Sequence, residues 1–500
     1  VPLEVTFPGS DAAILTPNPR VVSNRLLARD RFVPATTLNL LAAAWLQFMV
    51  HDWFSHGKNQ KENPWRIVLA EGDPWPEPPM TILRTHRDPT RPEHLEGVPP
   101  TFANVVTHWW DGSQIYGSDE NTLNALRSGV GGRMAIEPNG FLPLDPKLGV
   151  DLTGVNGNWW VGLSLLHNLF VREHNAICDR LRAEYPSWSD DDLFDRARLV
   201  NAALIAKIHT VDWTTAILGH PTMQYAMRAD WWGAGLERVH RILGRIGTSD
   251  FEGAPGSATN FYGAPYAMTE EFVAVYRMHP LLPDELSFRS ATDDRPITTK
   301  SFPEVAFRNA RVVLEQVPFA DAIYSLGTSN PGAITLHNYP KSLRELREPD
   351  GTLNDIATTD ILRIRERGVP RYNAFRELFH LPRVESFGNL TDNPTWAQEL
   401  REVYDNDIDQ VDLMVGLYAE PRPQGFGFSD TAFRVFALMA PRRLTSDRFF
   451  TIDYNPRVYT PAGFDWVEQN DFTSVLLRHF PALLPALRES ANPFSPWTRA

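Results

Sequence analysis

The sequence has little cysteine, little lysine and no long apolar run. Its 500 residues include one cysteine, Cys178, which excludes an internal disulfide framework and a zinc site built from cysteines. No stretch approaches the roughly 18–20 continuous apolar residues of a membrane-spanning helix, and the opening stretch, VPLEVTFPGS, lacks the basic and apolar regions of a signal peptide. The chain starts at Val1 rather than at methionine, which leaves room for a longer native N-terminus. A single cysteine fits a reducing compartment, so we expect a cytoplasmic protein and leave peripheral contact with a membrane open.

Positive charge is also scarce. The 48 lysine and arginine residues face 61 aspartates and glutamates, which gives a net charge of −13 at pH 7. Nucleic acids and anionic membranes attract basic surfaces, so we expect neither as the main partner. What the chain does contain is 43% hydrophobic and 11% aromatic residues, a globular composition that can bury a large core.

The distribution of proline divides the chain. Residues 60–100 hold PWPEPP, DPTRPEH and GVPP, which predicts a long irregular excursion at the surface. Residues 1–35 are predicted to form an extended N-terminal arm. There is no internal repeat and no clear linker in the sequence, so residues 36–500 are predicted to form one large catalytic domain, and the protein is expected to be a monomer.

Helical patterns dominate that domain. The alanine- and leucine-rich run from Leu38 to Phe54 contains no proline or glycine and predicts a buried helix. Strand patterns are few and short, so the predicted fold is mainly α, with few short strands. The other predicted helices, several with a serine or threonine cap and an acidic first turn, span residues 163–185, 189–218, 269–283, 371–381 and 429–444.

Two histidines on separate predicted helices, His51 and His279, each lie in an apolar stretch. They are either core histidines satisfied by hydrogen bonds or the distal and the proximal histidine of a haem site. Neutral imidazole binds haem iron, and a second imidazole across the ring can transfer protons to a bound peroxide. Gln47 precedes His51 by four residues and therefore shares its helical face, where it is predicted to orient the imidazole or a bound oxygen species.

The residues around His279 favour the haem interpretation. Tyr276 lies three residues earlier, on the same face of the predicted helix. The stretch YRMHPLLPD resembles the segment that joins the tyrosine to the proximal histidine in the cyclooxygenase branch of the haem peroxidases. The resemblance implies a mainly helical haem peroxidase fold, His279 as the proximal iron ligand, and a radical on Tyr276.

An oxygen-rich loop, THWWDGS, is a candidate cation site next to the His51 helix. Calcium binds about six to eight oxygens, and the alternative interpretation is a solvated turn. In animal haem peroxidases, the aspartate after the distal histidine and a T-x-F-x-D-x-S loop bind one calcium ion, and the loop here is similar. The ligands that this resemblance implies are Asp52, Thr107, Asp111, Ser113 and the carbonyl of Trp109.

Further motifs narrow the family. The stretches LFVREHNAICD, IHTVDWT and APRRLTSDRFFTIDYNPRVYT resemble the fatty acid α-dioxygenases of plants and some bacteria, in the family's order and from about residue 40 to about residue 480. The resemblance implies haem as cofactor and a fatty acid and O₂ as substrates. The tyrosyl radical would abstract a hydrogen atom from Cα. Addition of O₂ would then give a 2-hydroperoxy fatty acid, which can lose CO₂ to a shortened aldehyde.

The same resemblance implies a group that binds the substrate carboxylate. It places His209, Thr214 and Arg443 in this role, and a charged histidine and arginine would give charge-assisted hydrogen bonds. His209 and Thr214 are five residues apart in a predicted helix and need not share one face. Arg442 neighbours Arg443, and the sequence leaves open which of the two points inward.

The chain departs from mammalian peroxidases where haem becomes covalently bound. Val50 and Trp159 stand where those enzymes have ester-forming carboxylates, so the resemblance implies noncovalent haem b. Asn156 stands near the position of their distal arginine, which implies weak cleavage of peroxides. Asp360 falls where the family places an acceptor for the proximal imidazole of His279; a helix cap is the alternative.

Two other functions remain as alternatives. One is a haem peroxidase that acts on small reductants and needs neither a tyrosyl radical nor a carboxylate site. The other is a haem-binding or haem-sensing protein without turnover. The sequence does not indicate a preferred length of fatty acid, because residues that line a channel look like residues of the core.

Overall fold

The computed structural model describes residues 2–91, 97–243, 253–263 and 268–500. Helices account for nearly half of the described residues, and the prediction of a mainly α fold with few short strands is confirmed. No helix in these residues is both long and apolar enough to cross a membrane. The α-helices span Asp11–Ile14, Pro19–Val22, Leu41–Trp53, Ser113–Tyr116, Glu120–Leu126, Val161–Glu184, Asp190–Lys207, Thr214–Ile217, Pro221–Trp232, Leu236–Leu243, Glu270–Val275, Asn309–Gln316, Phe319–Thr328, Lys341–Arg344, Ile356–Glu366, Tyr372–Leu378, Phe387–Leu390, Pro394–Val403, Leu413–Ala419, Asp430–Thr445, Pro456–Tyr459, Pro461–Gln469, Phe472–His479 and Leu484–Leu487.

Short 3₁₀- and π-helices and three hairpins complete the fold. Each hairpin is an antiparallel pair of strands: Gln60–Ile67 with Met80–Arg84, Glu285–Arg289 with Pro296–Ser301, and Leu346–Arg347 with Leu353–Asn354. The 3₁₀-helices are Leu3–Val5, His279–Leu281, Phe302–Val305, Ile408–Gln410 and Pro481–Leu483, and the π-helices are Ser23–Leu27 and Ile208–Trp213.

The first hairpin corrects the prediction of an irregular stretch over residues 60–100. Its prolines are concentrated in the loop between the strands, where no ladder hydrogen bond is lost. Pro64 lies within a strand, but the register shifts between Gln60 and Trp65, and a bulge tolerates proline. Residues 92–96 of the same stretch lie outside the described residues.

The long helix Val161–Glu184 forms the centre of the main core. It packs against Leu41–Trp53, Asp190–Lys207 and Phe472–His479, and most of its residues are buried. We call Leu41–Trp53 the His51 helix. Nearly all of its residues are buried, because it is apolar on every side and lies between other helices.

Residues 2–35 contain several short helical turns rather than the predicted extended arm. Ile14 belongs to a second, smaller core that includes Leu362 of the helix Ile356–Glu366, which we call the Asp360 helix. Arg20 forms a buried ion pair of 2.6 Å with Asp355, and Asp355 caps the start of the Asp360 helix. The N-terminal segment therefore supports this helix. The division of the chain at residue 36 stays a prediction.

The predicted helix over residues 269–283 is wrong in its second half. The helix ends at Val275, and a separate 3₁₀-helix begins at His279. Pro280 explains the break, because its ring would clash with the carbonyl of Tyr276 and it disfavours helical backbone at His279. Tyr276 and His279 therefore do not lie on one face of a helix.

Candidate active site

A cavity of about 440 Å³ brings the predicted histidines together. His51 and Gln47 line one part of the wall, from the His51 helix, and His279 and Asp360 line another. Tyr276 is also on the wall, although it precedes His279 across a break in the helix. The arrangement that the sequence predicted from separate motifs therefore exists as one site.

Burial keeps His51 neutral and a hydrogen-bond network fixes its neighbour. Burial lowers the pKa of His51 to about 4, so its imidazole can accept a proton at neutral pH. The amide nitrogen of Gln47 lies 3.5 Å from Nε2 of His51 and donates to the carbonyl of Asn158 at 2.9 Å. Trp160 donates from Nε1 to the amide oxygen of Gln47 at 2.8 Å. Gln47 therefore presents its amide nitrogen to the imidazole in a fixed orientation.

His279 is held by Asp360. Nδ1 of His279 lies 2.7 Å from Oδ2 of Asp360, and the hydroxyl of Tyr339 donates to the same oxygen at 2.8 Å. Burial alone would raise the pKa of Asp360, but Arg277, His279 and Tyr339 outweigh burial and hold it below its usual value. The charged carboxylate therefore holds the Nδ1 edge of the His279 ring, and Nε2 is the ring nitrogen left to bind a metal. The contact with Asp360 is the one that the resemblance implied.

This donor set fits a haem group. A neutral imidazole with an available Nε2 is a haem iron ligand, and the His279 side chain, although it lines an interior cavity, is 32% exposed. Arg277, Arg363 and Arg367 also line this cavity, and each of them forms an ion pair with a carboxylate of the protein. Haem propionates would share these guanidinium groups with the protein carboxylates.

Asn156, which stands near the position of the distal arginine of mammalian peroxidases, does not line the cavity. Its amide oxygen accepts from Thr153, and its nitrogen donates to Asp145 at 2.9 Å. The cavity is lined instead by Asn158, whose backbone has a φ of 49°. Asparagine tolerates this left-handed conformation better than most residues, and nothing in the sequence distinguished the two asparagines. Val50 and Trp159 line the cavity as expected.

Tyr276 connects the cavity to a second cluster of residues. Its ring is buried and packs against Phe272, with centroids 4.5 Å apart. It also meets the ring of Trp53 edge-on, with centroids 5.5 Å apart. Trp53 in turn contacts His209 and Arg443. The indole of Trp53 therefore contacts both the tyrosine and two residues of the predicted carboxylate site.

A π-helix brings His209 and Thr214 together. Residues Ile208–Trp213 form a π-helix, in which positions five apart align, and the hydroxyl of Thr214 donates to the carbonyl of His209 at 2.8 Å. Nδ1 of His209 accepts from Trp45 at 3.1 Å, so the imidazole proton is on Nε2. Burial, and then the charge of Arg443, lower the pKa of His209 well below its usual value. His209 is therefore a neutral donor in this structure, and a charge-assisted hydrogen bond from it to the substrate carboxylate stays a prediction.

The structure turns Arg443 inward. Its side chain is buried, and its Cζ lies 3.9 Å from the ring centre of Trp53 and 5.0 Å from that of Trp110. Nη2 of Arg443 donates to the carbonyl of His108 at 3.0 Å. Arg442 is only partly buried, on the other side of the helix Asp430–Thr445, which we call the Arg443 helix.

The predicted calcium ligands also converge. Oδ1 of Asp52 accepts from the backbone nitrogen of Ser113 at 2.6 Å and from its hydroxyl at 2.9 Å. The same nitrogen lies 3.2 Å from Oδ1 of Asp111, which accepts from Thr107 at 2.8 Å. Burial, and then the charge of Asp111, raise the pKa of Asp52 well above its usual value. Two carboxylates that share one backbone donor repel each other, and this repulsion favours the binding of a cation.

The predicted calcium site has two carboxylates, that of Asp111 in the loop and that of Asp52 in the His51 helix. In keeping with that, the described part of the chain contains no group of three or more histidine, cysteine, aspartate or glutamate side chains placed to hold a metal ion. Calcium also accepts hydroxyl and carbonyl oxygens, and the other predicted ligands are Thr107, Ser113 and the carbonyl of Trp109.

Comparisons with known proteins agree on the type of site. The profile of the animal haem peroxidase family matches residues 6–491. Alpha-dioxygenase 2 of Arabidopsis thaliana is 39% identical to this chain, across 98% of this chain and 79% of that protein. The crystal structure of an Arabidopsis thaliana fatty acid alpha-dioxygenase has a TM-score of 0.92 and 35% identity, covering 98% of this chain and 79% of that one. A tyrosine-to-phenylalanine variant of the Oryza sativa fatty acid alpha-dioxygenase, crystallised with palmitic acid, also has a TM-score of 0.92, with 36% identity over 98% of this chain and 82% of that one.

Proposed function

The chain belongs to the α-dioxygenases of the animal haem peroxidase family, and from that membership we propose that it adds O₂ to Cα of a fatty acid. The observation that carries the proposal is the position of Tyr276. This tyrosine lies on the wall of the cavity between His51 and His279 and contacts Trp53, against which Arg443 is stacked. A carboxylate at Arg443 would hold the adjacent carbon close to the phenol.

The chemistry follows from this placement. Haem, when bound by His279, supplies the one-electron oxidation of Tyr276 at the expense of a hydroperoxide. Neutral His51 accepts and returns the proton that moves during activation of the peroxide. The oxidised phenol of Tyr276 takes a hydrogen atom from Cα, O₂ adds to the carbon radical, and a hydrogen atom returned by Tyr276 completes the 2-hydroperoxy fatty acid.

Haem b is held noncovalently in this proposal. Ester formation needs a carboxylate on the protein, and the two positions concerned are occupied by Val50 and Trp159, which both line the cavity. The iron would be fixed by His279 alone, and Asp360 would raise the basicity of that imidazole through its hydrogen bond.

Product analysis tests the function directly. The haem-loaded protein is incubated with palmitate, O₂ and a trace of hydroperoxide, and the products are identified by mass spectrometry. A 2-hydroperoxy acid, or the aldehyde shortened by one carbon, supports an α-dioxygenase. Peroxide turnover with a small reductant, but without O₂ uptake on palmitate, would instead support the plain peroxidase.

Replacement of Arg443 by alanine is expected to lower kcat/KM for palmitate about ten- to a hundredfold. A charge-assisted hydrogen bond contributes about 1.5–3 kcal/mol, and its loss appears in full in kcat/KM. Haem content should change little, because Arg443 does not line the haem cavity. The rate of O₂ uptake at several palmitate concentrations measures the effect.

Arg442→Ala is the matched control for this prediction. It removes the neighbouring guanidinium from the same turn of the same helix, and its kcat/KM should stay near that of the wild type. A large loss in Arg442→Ala with a normal Arg443→Ala would reverse the assignment. If both variants keep their activity, the carboxylate binds elsewhere.

Removal of calcium is expected to lower the melting temperature. We propose that Asp52, Thr107, Asp111 and Ser113, with the carbonyl of Trp109, bind one Ca²⁺, because the buried carboxylate of Asp52 and the partly buried one of Asp111 share a single backbone donor there. A ligand that binds only the folded state stabilises it by mass action. Calorimetry of the chelator-treated protein, before and after Ca²⁺ is restored, measures the shift. An unchanged melting temperature and haem content in a protein proved free of metal would count against the site.

A further inference from the structure

Three buried hydrogen-bond donors surround Arg443 without an acceptor. Nε1 of Trp53, Nε1 of Trp110 and Nε2 of His209 are all buried, and none of them meets a hydrogen-bond acceptor among the residues that the structure describes. Nε2 of His209 carries the imidazole proton, because Nδ1 accepts from Trp45. An indole nitrogen can only donate. Buried donors in folded proteins nearly always have a partner, and one left without it is costly.

The three donors belong to one cluster. The rings of Trp53 and Trp110 are stacked, 5.7 Å apart and 13° from parallel. The imidazole of His209 stands nearly perpendicular to both, at 5.1 Å from Trp53 and 5.5 Å from Trp110. The guanidinium of Arg443 packs on the same two indoles. The cluster therefore combines one positive charge with three neutral N–H groups, and it includes no anion of its own.

The hydroxyl of Thr214 is already committed. It donates to the carbonyl of His209 and so would have to break that bond to donate to a ligand. A carboxylate has two oxygens with about four acceptor positions. Arg443 and His209 supply donors for some of these positions, and the two indoles supply two more donors within the same cluster.

We propose that the indole N–H groups of Trp53 and Trp110 donate hydrogen bonds to the carboxylate of the fatty acid. This inference deepens the proposed function and rests on it, since the carboxylate is that of the proposed substrate. The site gains recognition from neutral donors, which need no counter-ion when the substrate is absent. A cluster that only donates should discriminate strongly against a fatty alcohol, which brings no negative charge and one acceptor oxygen.

Binding without turnover tests the proposal. The haem-loaded Trp53→Phe and Trp110→Phe variants are titrated with palmitate and with 1-hexadecanol in the absence of O₂ and hydroperoxide. Phenylalanine keeps an aromatic face under Arg443 but removes the N–H. Each variant should bind palmitate about tenfold more weakly, as expected for a hydrogen bond to a charged group, and should bind hexadecanol as the wild type does. Trp231→Phe is the control, because Trp231 is equally buried and packs against Tyr454 instead.

The outcomes separate this inference from the proposed function. An equal loss of affinity for palmitate and for hexadecanol would mean that the two tryptophans act only through packing. Unchanged affinity for palmitate in both variants would also overturn the proposal. If palmitate binds as predicted but is not oxygenated by the wild type, the role of the two indole donors is supported and the proposed dioxygenase function is wrong.

A measurement on the wild type tests the proposal even if neither tryptophan variant folds. Ultraviolet resonance Raman spectra contain a tryptophan band that reports hydrogen bonding of the indole N–H. Addition of palmitate should shift part of this band toward stronger hydrogen bonding, and addition of hexadecanol should not. A band that is unchanged at saturating palmitate would contradict the proposal.

Discussion

Replacement of Tyr276 by phenylalanine is expected to abolish oxygenation of palmitate and to leave the fold and the haem in place. A phenol can give up a hydrogen atom and take it back, and a phenyl ring cannot. Phenylalanine keeps the ring contacts with Trp53, Phe272 and Phe436. The measurement is O₂ uptake with palmitate, beside haem content from the Soret band.

The residual activity of this variant separates two functions. One-electron oxidation of a small reductant by peroxide uses His51 and the haem, so it should survive in Tyr276→Phe. A plain peroxidase would show no special loss in this variant. Tyr372→Phe is the matched control, since Tyr372 is also fully buried but lies away from the cavity. If Tyr276→Phe still consumes O₂ with palmitate at nearly the wild-type rate, the radical role of this tyrosine is wrong.

Replacement of His279 by alanine is expected to remove the Soret band. His279 is the one histidine of the described cavity wall whose Nδ1 is held by a carboxylate, and its Nε2 would bind the haem iron. With no covalent link to the protein, haem should have no other strong attachment. Absorbance of the purified variant after reconstitution with haem, compared with the wild type, measures the loss.

His51→Ala provides the contrast on the opposite wall. It should retain haem but react slowly with hydroperoxide, because the neutral imidazole that accepts the proton is gone. Extraction of the wild type with acidified acetone should release all of the haem. Haem that stays with the polypeptide would contradict noncovalent binding, and a normal Soret band in His279→Ala would contradict the assignment of the iron ligand.

The sequence predicted best those site residues whose role depends only on the motif in which they lie. His51, His279, Asp360 and Tyr276 all reach the same cavity, as their motifs implied. The error over residues 269–283 came from treating a proline as the end of a helix, whereas Pro280 already prevents helical backbone several residues earlier. The placement of the residues was correct although the local structure was not.

The rest depended on contacts between distant parts of the chain. Tyr339 donates a hydrogen bond to Asp360 from another part of the chain. Trp160 donates one to Gln47, although 113 residues separate them. The neutral state of His209 depends on burial and on Arg443, far along the chain. Such effects arise only when tertiary packing defines solvent exposure and neighbours, and no local pattern of residues encodes them.

The π-helix at Ile208–Trp213 has a further consequence for how this enzyme can change. A π-helix inside an α-helix is equivalent to one inserted residue, so deletion of a single residue there would allow regular hydrogen bonding from Asp190 to Ile217. After a deletion between His209 and Thr214, the two residues would be four apart in an α-helix, which again places them on one face. The scaffold would become more regular, and this pair of the substrate site would stay together. The segment can therefore change in length by one residue without separating His209 from Thr214, so a relative of this chain with a shorter, better-formed helix here is expected to keep its substrate.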